Sequence, residues 1–506
     1  MPRTANDYSG SAAAPARASK VRQSMRAAAT LILLAVAGVA HAQQWVFEPR
    51  LAVSEIYTDN ITLAPDGLEE DDFVTQVTPG FTLVKAEGRF TTDIEYDMES
   101  FFYSSDSDRN EIFHDLLALA TAEIIRERFF LELDASAGQA VVNPEVPFSS
   151  SNVSLSGNRT EYWSAGLNPY WVQPLGSRTQ ARVDYRYGTV DYQNIDIAQG
   201  SQIDDFVRQE FSIEIGTIAD EPGFGWWLRG DHRESEYENF GRFEFDEALV
   251  EVAIPLGGQL ALVALGGKET DFPNNPTTGG LDSDRWEVGF RWRASARAQL
   301  EARTGERYFG TTYFFDWQYE ARQTSIQMTY SEDPTTIGEE QLLPAIQAVA
   351  GGLPDFEIAP LTTELYTRKN FTGAVRWSGA RHQVEIEGND TKRIYLENPG
   401  TERESGLGVT WLWMLGARTR LDVGLYGGRI EFRDTDVRDD LAQINAGISR
   451  QLGRKTLIDF SVRHDQRKSN SEQQSFDYEE NAAMITLLRT FGRGEVGSLS
   501  RPARRR

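Results

Sequence analysis

The chain of 506 residues contains no cysteine. That excludes disulfide frameworks, thiolate-ligated zinc or iron–sulfur centres and thiol catalysis. Long apolar runs are missing too: hydrophobic residues make up 40% and mean hydropathy is −0.45, which excludes a bundle of transmembrane helices. Positive charge is short, with 51 Lys and Arg against 76 Asp and Glu and a net charge of −25. Such a balance lacks the basic footprint that nucleic acid requires. No Gly-x-x-x-x-Gly-Lys phosphate loop is present, and the 43 glycines are scattered rather than clustered for a nucleotide.

What is there begins with an export signal. Arg17, Lys20, Arg22 and Arg26 precede an apolar stretch from Ala27 to Ala40, and Ala40-His41-Ala42 has the small-x-small form of a cleavage site. Residues 1–42 are therefore expected to be removed, with Met25 offering a second start.

From Trp45 to Phe491 one period governs the chain, the two-residue alternation of a strand with unlike faces. Phe90, Thr92, Ile94, Tyr96 and Met98 oppose Asp93, Glu95, Asp97 and Glu99. Val183, Tyr185 and Tyr187 oppose Arg182, Asp184 and Arg186; Trp286, Val288, Phe290 and Trp292 oppose Glu287, Arg291 and Arg293. Ile458, Phe460 and Val462 oppose Asp459, Ser461 and Arg463. A soluble sandwich alternates as well, but these stretches outrun ordinary soluble strands. They also end in aromatic pairs such as Tyr170-Trp171 and Trp226-Trp227, as bilayer-interface girdles require.

Tight turns are expected near Gly88, Glu127, Gly176, Gly223, Gly257, Ser295, Gln323, Gly379, Gly416 and Gly453, with longer acidic segments between them. Such turns give about 22 strands, within a range of roughly 18–24, in a single antiparallel transmembrane β-barrel with short periplasmic turns and long extracellular loops. The apolar region 248–266 reads as two strands, because Pro255, Gly257 and Gly258 break it. The barrel is expected to span residues 43–491, with 492–506 expected to be a basic, disordered tail. Its expected place is the outer membrane of a Gram-negative bacterium. Expected partners are outer-membrane lipid, lipopolysaccharide and the barrel-assembly machinery, with no nucleic acid and no cofactor.

Segment 331–366 interrupts the hairpin rhythm. Leu342, Leu343, Ile346 and Val349 follow helical spacing before Gly351-Gly352, so a short amphipathic helix is expected, either a lid on neighbouring loops or a loop folded inward to constrict a pore.

Several pieces together resemble the outer-membrane barrel proteins associated with PEP-CTERM systems. They are Trp45-Val-Phe-Glu-Pro49, Tyr57-Thr-Asp-Asn60-Ile61, Thr78-Pro-Gly80-Phe81, Asn168-Pro-Tyr170-Trp171, and Tyr478-Glu-Glu-Asn481 with Phe491. The resemblance implies the outer membrane and a link to exopolysaccharide and its export machinery. It supplies no catalytic residues.

The histidines beyond the signal are His114, His232, His382 and His464. Their neighbours Asp115 and Asp465 point to the opposite strand face and cannot orient them as in a hydrolase triad. No enzyme is expected. Acidic clusters at Glu69–Asp72, Asp204-Asp205 and Asp434–Asp440 lack the ordered spacing and glycine of a calcium loop, so no metal site is assigned. The candidate lumen charges are Asp93, Glu95, Asp97 and Glu99 against Arg182, Arg186, Arg291, Arg293 and Arg463. Further cations come from Arg297, Arg420, Arg429, Arg433 and Arg467. They would either pair across strands to stabilise the wall or face one another as a constriction. Two functions follow: a porin-like conduit for a hydrophilic solute, or a closed structural or assembly barrel that holds a partner at the outer membrane.

Overall fold

A computed structural model describes residues 45–149, 151–193, 204–217, 224–238, 241–274, 277–342, 362–433, 436–471 and 476–492. The export signal with Ala40 and Ala42, and the tail from 493 on, lie outside the described residues.

The first eleven strands are β1 (Val46–Thr58), β2 (Asp72–Lys85), β3 (Phe90–Tyr103), β4 (Glu111–Ile125), β5 (Phe129–Val141), β6 (Arg159–Pro174), β7 (Thr179–Gln193), β8 (Phe206–Thr217), β9 (Gly225–Tyr237), β10 (Gly241–Gly257) and β11 (Leu260–Glu269). The other eleven are β12 (Ser283–Ser295), β13 (Ala298–Arg307), β14 (Gly310–Glu320), β15 (Thr324–Thr335), β16 (Tyr366–Ser378), β17 (His382–Tyr395), β18 (Gly400–Met414), β19 (Thr419–Glu431), β20 (Arg438–Gln451), β21 (Thr456–Ser469) and β22 (Tyr478–Thr490). Each strand pairs antiparallel with its sequence neighbours, and β1 pairs with β22, so the 22-stranded sheet closes on itself. Among the described residues no helix is long and apolar enough to cross a membrane; the crossing is made by strands, whose backbone groups closure satisfies.

The alternation has a physical reading. Phe460 and Val462, Trp286 and Trp292, and Ile485 and Leu487 are each 40–50% exposed on the outer face. An apolar surface continued around the whole barrel is stable only against lipid. The start of β1, the end of β22 and the short turns lie at one end of the barrel, the periplasmic end by the rule for such barrels, and the long loops lie at the other. The chain is therefore an outer-membrane barrel of the Gram-negative envelope.

In 248–266, β10 and β11 meet at Gly257 and Gly258, both at positive φ (123° and 57°). A side chain would strain that turn. Not every outer connection is long, however: Tyr308-Phe309 alone joins β13 to β14, and β15 and β16 continue to Thr335 and from Tyr366, which shortens the long loop at both ends.

The strand that closes the barrel also explains several sequence signatures. Asp59 accepts from the backbone and side-chain nitrogens of Asn481 at 2.7 and 2.8 Å, while buried Asn60 donates to the carbonyls of Glu479 and Ala64 at 3.0 and 2.8 Å. The Asp-Asn and Glu-Glu-Asn motifs near the two chain ends thus meet at the β1–β22 seam. Phe491 donates its N–H to Pro49 at 2.8 Å, and Arg489, facing outward at the turn end, lies over the Phe491 ring. Pro79 and Pro169 have no N–H for the ladder, and the pairing of β2 with β3 and of β6 with β7 is interrupted there.

Candidate pore lining and mouth loops

The inner wall carries many charged side chains, and most cations there are paired within the wall. Arg186 reaches Asp134 at 3.5 Å; Arg182 binds Asp184 on its own strand at 2.6 Å. Arg291 binds Glu251 at 3.0 Å, and Arg463 binds Asp465 and Glu480 at 2.8 Å each. Arg303 bridges Glu251, Glu287 and Glu301 at 3.0–3.3 Å, and Arg293 faces the lumen nearer the turns. Arg467 is inside the mouth, and Arg420 faces inward near Asp422. Arg429 faces outward instead, bound to Asp440, and Arg433 is in a loop bound to Glu364. Arg297 lies in the turn after β12. The arginines therefore do not form an uncompensated row against the acids; each carboxylate partner stands on the same or a nearby strand.

The acids of β3 are less compensated. Asp93, Glu95, Asp97 and Glu99 all face the lumen, and the only cation on the inward positions of β1–β5 is Arg50. Arg50 donates to Asp97 at 2.9 Å and meets Glu95 at 2.8 Å. Gly80 makes that approach possible, since a Cβ there would collide with the Asp97 carboxylate. Asp115 stands directly opposite Asp97 in the β3–β4 register, a like-charge pair that sheets ordinarily avoid. Asp93 makes no hydrogen bond or ion pair among the described residues.

Two loops fold inward over this lumen. The first leaves β15. Thr336 caps a helix, α1 (Ile337–Gln341), accepting from the N–H of Glu339. Ile337 and Leu342 then bury themselves among Val190, Phe206, Tyr237 and Phe245, inward residues of β7–β10. The contact crosses the mouth, because β15 and β9 are six strands apart. Leu342 seats on Gly188, and Tyr192 donates to Gln341. Glu339 is buried, accepts from Ser235 at 2.6 Å and Thr335 at 3.1 Å, and meets Arg233 at 3.4 Å. Burial alone would raise its carboxyl; Arg233 and Arg208, with the two hydroxyls, hold it below the usual value. Leu342 is thus a wall anchor, 2% exposed, rather than a pore-lining side chain. Leu343, Ile346 and Val349 lie outside the described residues. At the same rim, burial and then Asp191 push the Asp205 carboxyl up to about 6.

The second inward loop comprises residues 142–149 and 151–158; in sequence the segment 143–160 reads as a polar, acidic outer loop, and the structure corrects that. Val153 packs with Ile56, Ile61, Val74 and Phe101, while Phe148 packs with Ile430 and Phe432 on the far side. Arg467, 1% exposed, donates to Asp439 at 2.7 Å and to the carbonyls of Val146 and Pro144 at 2.6 and 2.8 Å. Tyr478 donates to the carbonyl of Phe148 at 2.6 Å, and Asn152 donates to Glu99 at 2.7 Å. The loop therefore roofs the upper end of the β3 acid ladder. The overlooked signal was composition: Val142, Val146, Phe148, Val153 and Leu155 are too apolar for an exposed loop.

The four histidines are held by outward neighbours. His114 bonds Tyr96 at 2.8 Å, His232 bonds Asp246 at 2.7 Å and His464 bonds Asn481 at 2.8 Å, while His382 stacks on Trp411 and Trp413.

No protein-family model matches the chain, and no curated protein does. Solved structures similar to it include Acinetobacter baumannii OccAB3, at 11% identity over 89% of this chain and 99% of that one, with a TM-score of 0.37. The ferric enterobactin receptor PfeA of Pseudomonas aeruginosa is 8% identical over 88% and 80%, with a TM-score of 0.44. Pseudomonas aeruginosa OprD is 8% identical over 90% and 98%, with a TM-score of 0.34.

Proposed function

We propose that the barrel is a porin-like conduit for hydrophilic solutes, with a cation-preferring lumen and a mouth narrowed by loops 142–158 and 336–342. The observation that carries this reading is the acidic sector of β3–β5, where Asp97 faces Asp115 across the register and Arg50 is the one cation on the inward positions of β1–β5. Fixed carboxylates along one wall raise the local concentration of cations and repel anions. The resemblance to PEP-CTERM-associated barrels supports extending the reading to an extracellular polysaccharide; one that passes this lumen is uncharged or cationic, since a polyanion meets the acidic wall.

A second reading has its own support. Arg393, Arg467, Glu404 and Glu480 are buried at the loop end, so the mouth is packed as well as narrowed. That favours a closed barrel that anchors a partner. Planar-bilayer recording on the refolded full chain separates the two. Stable steps that enlarge when 338–352 is deleted support the conduit, and silence of both proteins with intact heat-resistant migration supports the closed barrel.

A further inference from the structure

Outside the barrel, at the loop end, cations stand side by side. Lys369 on β16 lies directly opposite Lys392 on β17, and Lys392 directly opposite Arg403 on β18. Like charges in register destabilise a sheet unless something answers them. Lys369 is answered in part by Glu332 at 3.2 Å, and Arg403 by Asp390 at 2.8 Å. Lys392, between them, is exposed and makes no ion pair among the described residues. Outward cations recur on β19–β21 without facing one another in register. Arg429 faces outward and binds Asp440 at 2.7 Å, whereas exposed Arg438 and Lys468 have no carboxylate partner among the described residues. Six consecutive strands thus present an outward cation near the loop end; on β19 and β20 acids stand among them, Glu431 opposite both Arg403 and Arg438 and Asp440 opposite Lys468, so Lys392 is the one with cations on both sides. On β9 and β10 the outward rim carries Glu234, Glu236 and Glu244 around a single cation, Arg242, which is paired with Glu234 and Glu244.

The height of the row identifies what meets it. Arg403 precedes Leu407, 57% exposed on the same outward face of β18, by four residues. That separation is about 13 Å along a strand and less along the tilted barrel's normal, which sets the cations above the hydrocarbon and within the headgroup layer. Neighbouring strands are about 4.8 Å apart, so Lys369, Lys392 and Arg403 span roughly 10 Å, the width of one phosphorylated sugar headgroup. Ammonium and guanidinium groups held at that depth bind phosphate oxygens strongly.

We propose that β16–β21 bind the phosphate groups of an outer-leaflet glycolipid headgroup, with Lys392, Arg438 and Lys468 as its uncommitted cations. The site is independent of conduction, because none of these side chains faces the lumen.

The test uses the full chain folded in neutral detergent and titrated with bisphosphorylated lipid A, binding being read by native mass spectrometry. A triple variant, Lys392→Gln with Arg438→Gln and Lys468→Gln, removes only exposed side chains and should keep heat-resistant migration. It is expected to bind lipid A at least tenfold more weakly and with a shallower salt dependence. The control Lys268→Gln, outward on β11, should bind as the parent does. Equal binding by parent and triple variant overturns the proposal, as does equal binding of dephosphorylated lipid A. Inorganic phosphate that occupies the row as tightly as lipid A also overturns it, leaving a soluble-anion site.

Discussion

Leu342, on the loop that leaves β15, rests directly on Gly188 of β7: a Cβ added at 188 would lie 2.8 Å from its Cδ1. Wall and loop fit because the wall has no side chain there. Gly188 is not among the glycines at positive φ, so a larger residue is compatible with the strand. Gly188→Leu should therefore displace Leu342 while the barrel still closes. The expected result is larger single-channel conductance with unchanged heat-resistant migration. Unchanged conductance would mean that this seat does not hold the loop over the pore.

Acid should release the same loop. The Glu339 carboxyl titrates below its ordinary value in the folded protein, so its contribution to docking is complete above that ordinary value, about pH 4.3. The contribution is lost as pH falls through the depressed value. Conductance should rise below about pH 4 when the loop side is acidified, and Glu339→Gln should abolish that rise. An identical acid response in the variant would assign it elsewhere.

The seam makes a ranked prediction. Asn60 is wholly buried and ties the first loop to Glu479 and Ala64, whereas the Asp59–Asn481 pair is exposed. Asn60→Ala should cost about 1–3 kcal/mol by stranding buried backbone groups, and Asn481→Ala about 1 kcal/mol or less. Urea unfolding in detergent measures both, and a reversed order would contradict the clasp.

The two faces of β21 can be compared at adjacent positions. Phe460→Arg places a charge in lipid and should cost about 2–4 kcal/mol if it lies near the midplane. Ser461→Arg points into the aqueous lumen and should cost much less. Equal costs would mean that the faces of β21 are misassigned.

Architecture was legible because a lipid-facing strand must alternate: Trp286 to Arg293 announces its two faces without any tertiary information. Turn chemistry at Gly257-Gly258 and Gly176 then supplies strand number, and the sheet has the 22 strands that count implies. The mouth was less legible. Leu342, Leu343, Ile346 and Val349 follow a helical spacing that can be read locally, but the residues that bury Leu342, among them Val190, Phe206 and Tyr237, stand on strands a hundred residues or more away. Loop 142–158 was missed for the same reason: Phe148 meets Ile430, and Arg467 meets Val146, only after the barrel closes. Pairing of the lumen arginines was likewise hidden, since Arg186 finds Asp134 across two strands and Arg291 finds Glu251 from two strands away. The Asp-Asn and Glu-Glu-Asn motifs were visible as a resemblance, yet their meeting at the seam depends on closure.

A cation-preferring lumen shows itself in the reversal potential of the refolded full chain in a planar bilayer under a potassium chloride gradient. The expected potential has the sign set by potassium and moves toward zero when Asp93, Glu95 and Asp97 are replaced by their amides. A chloride-signed potential, or a potassium-signed one that the amides leave unchanged, would contradict it.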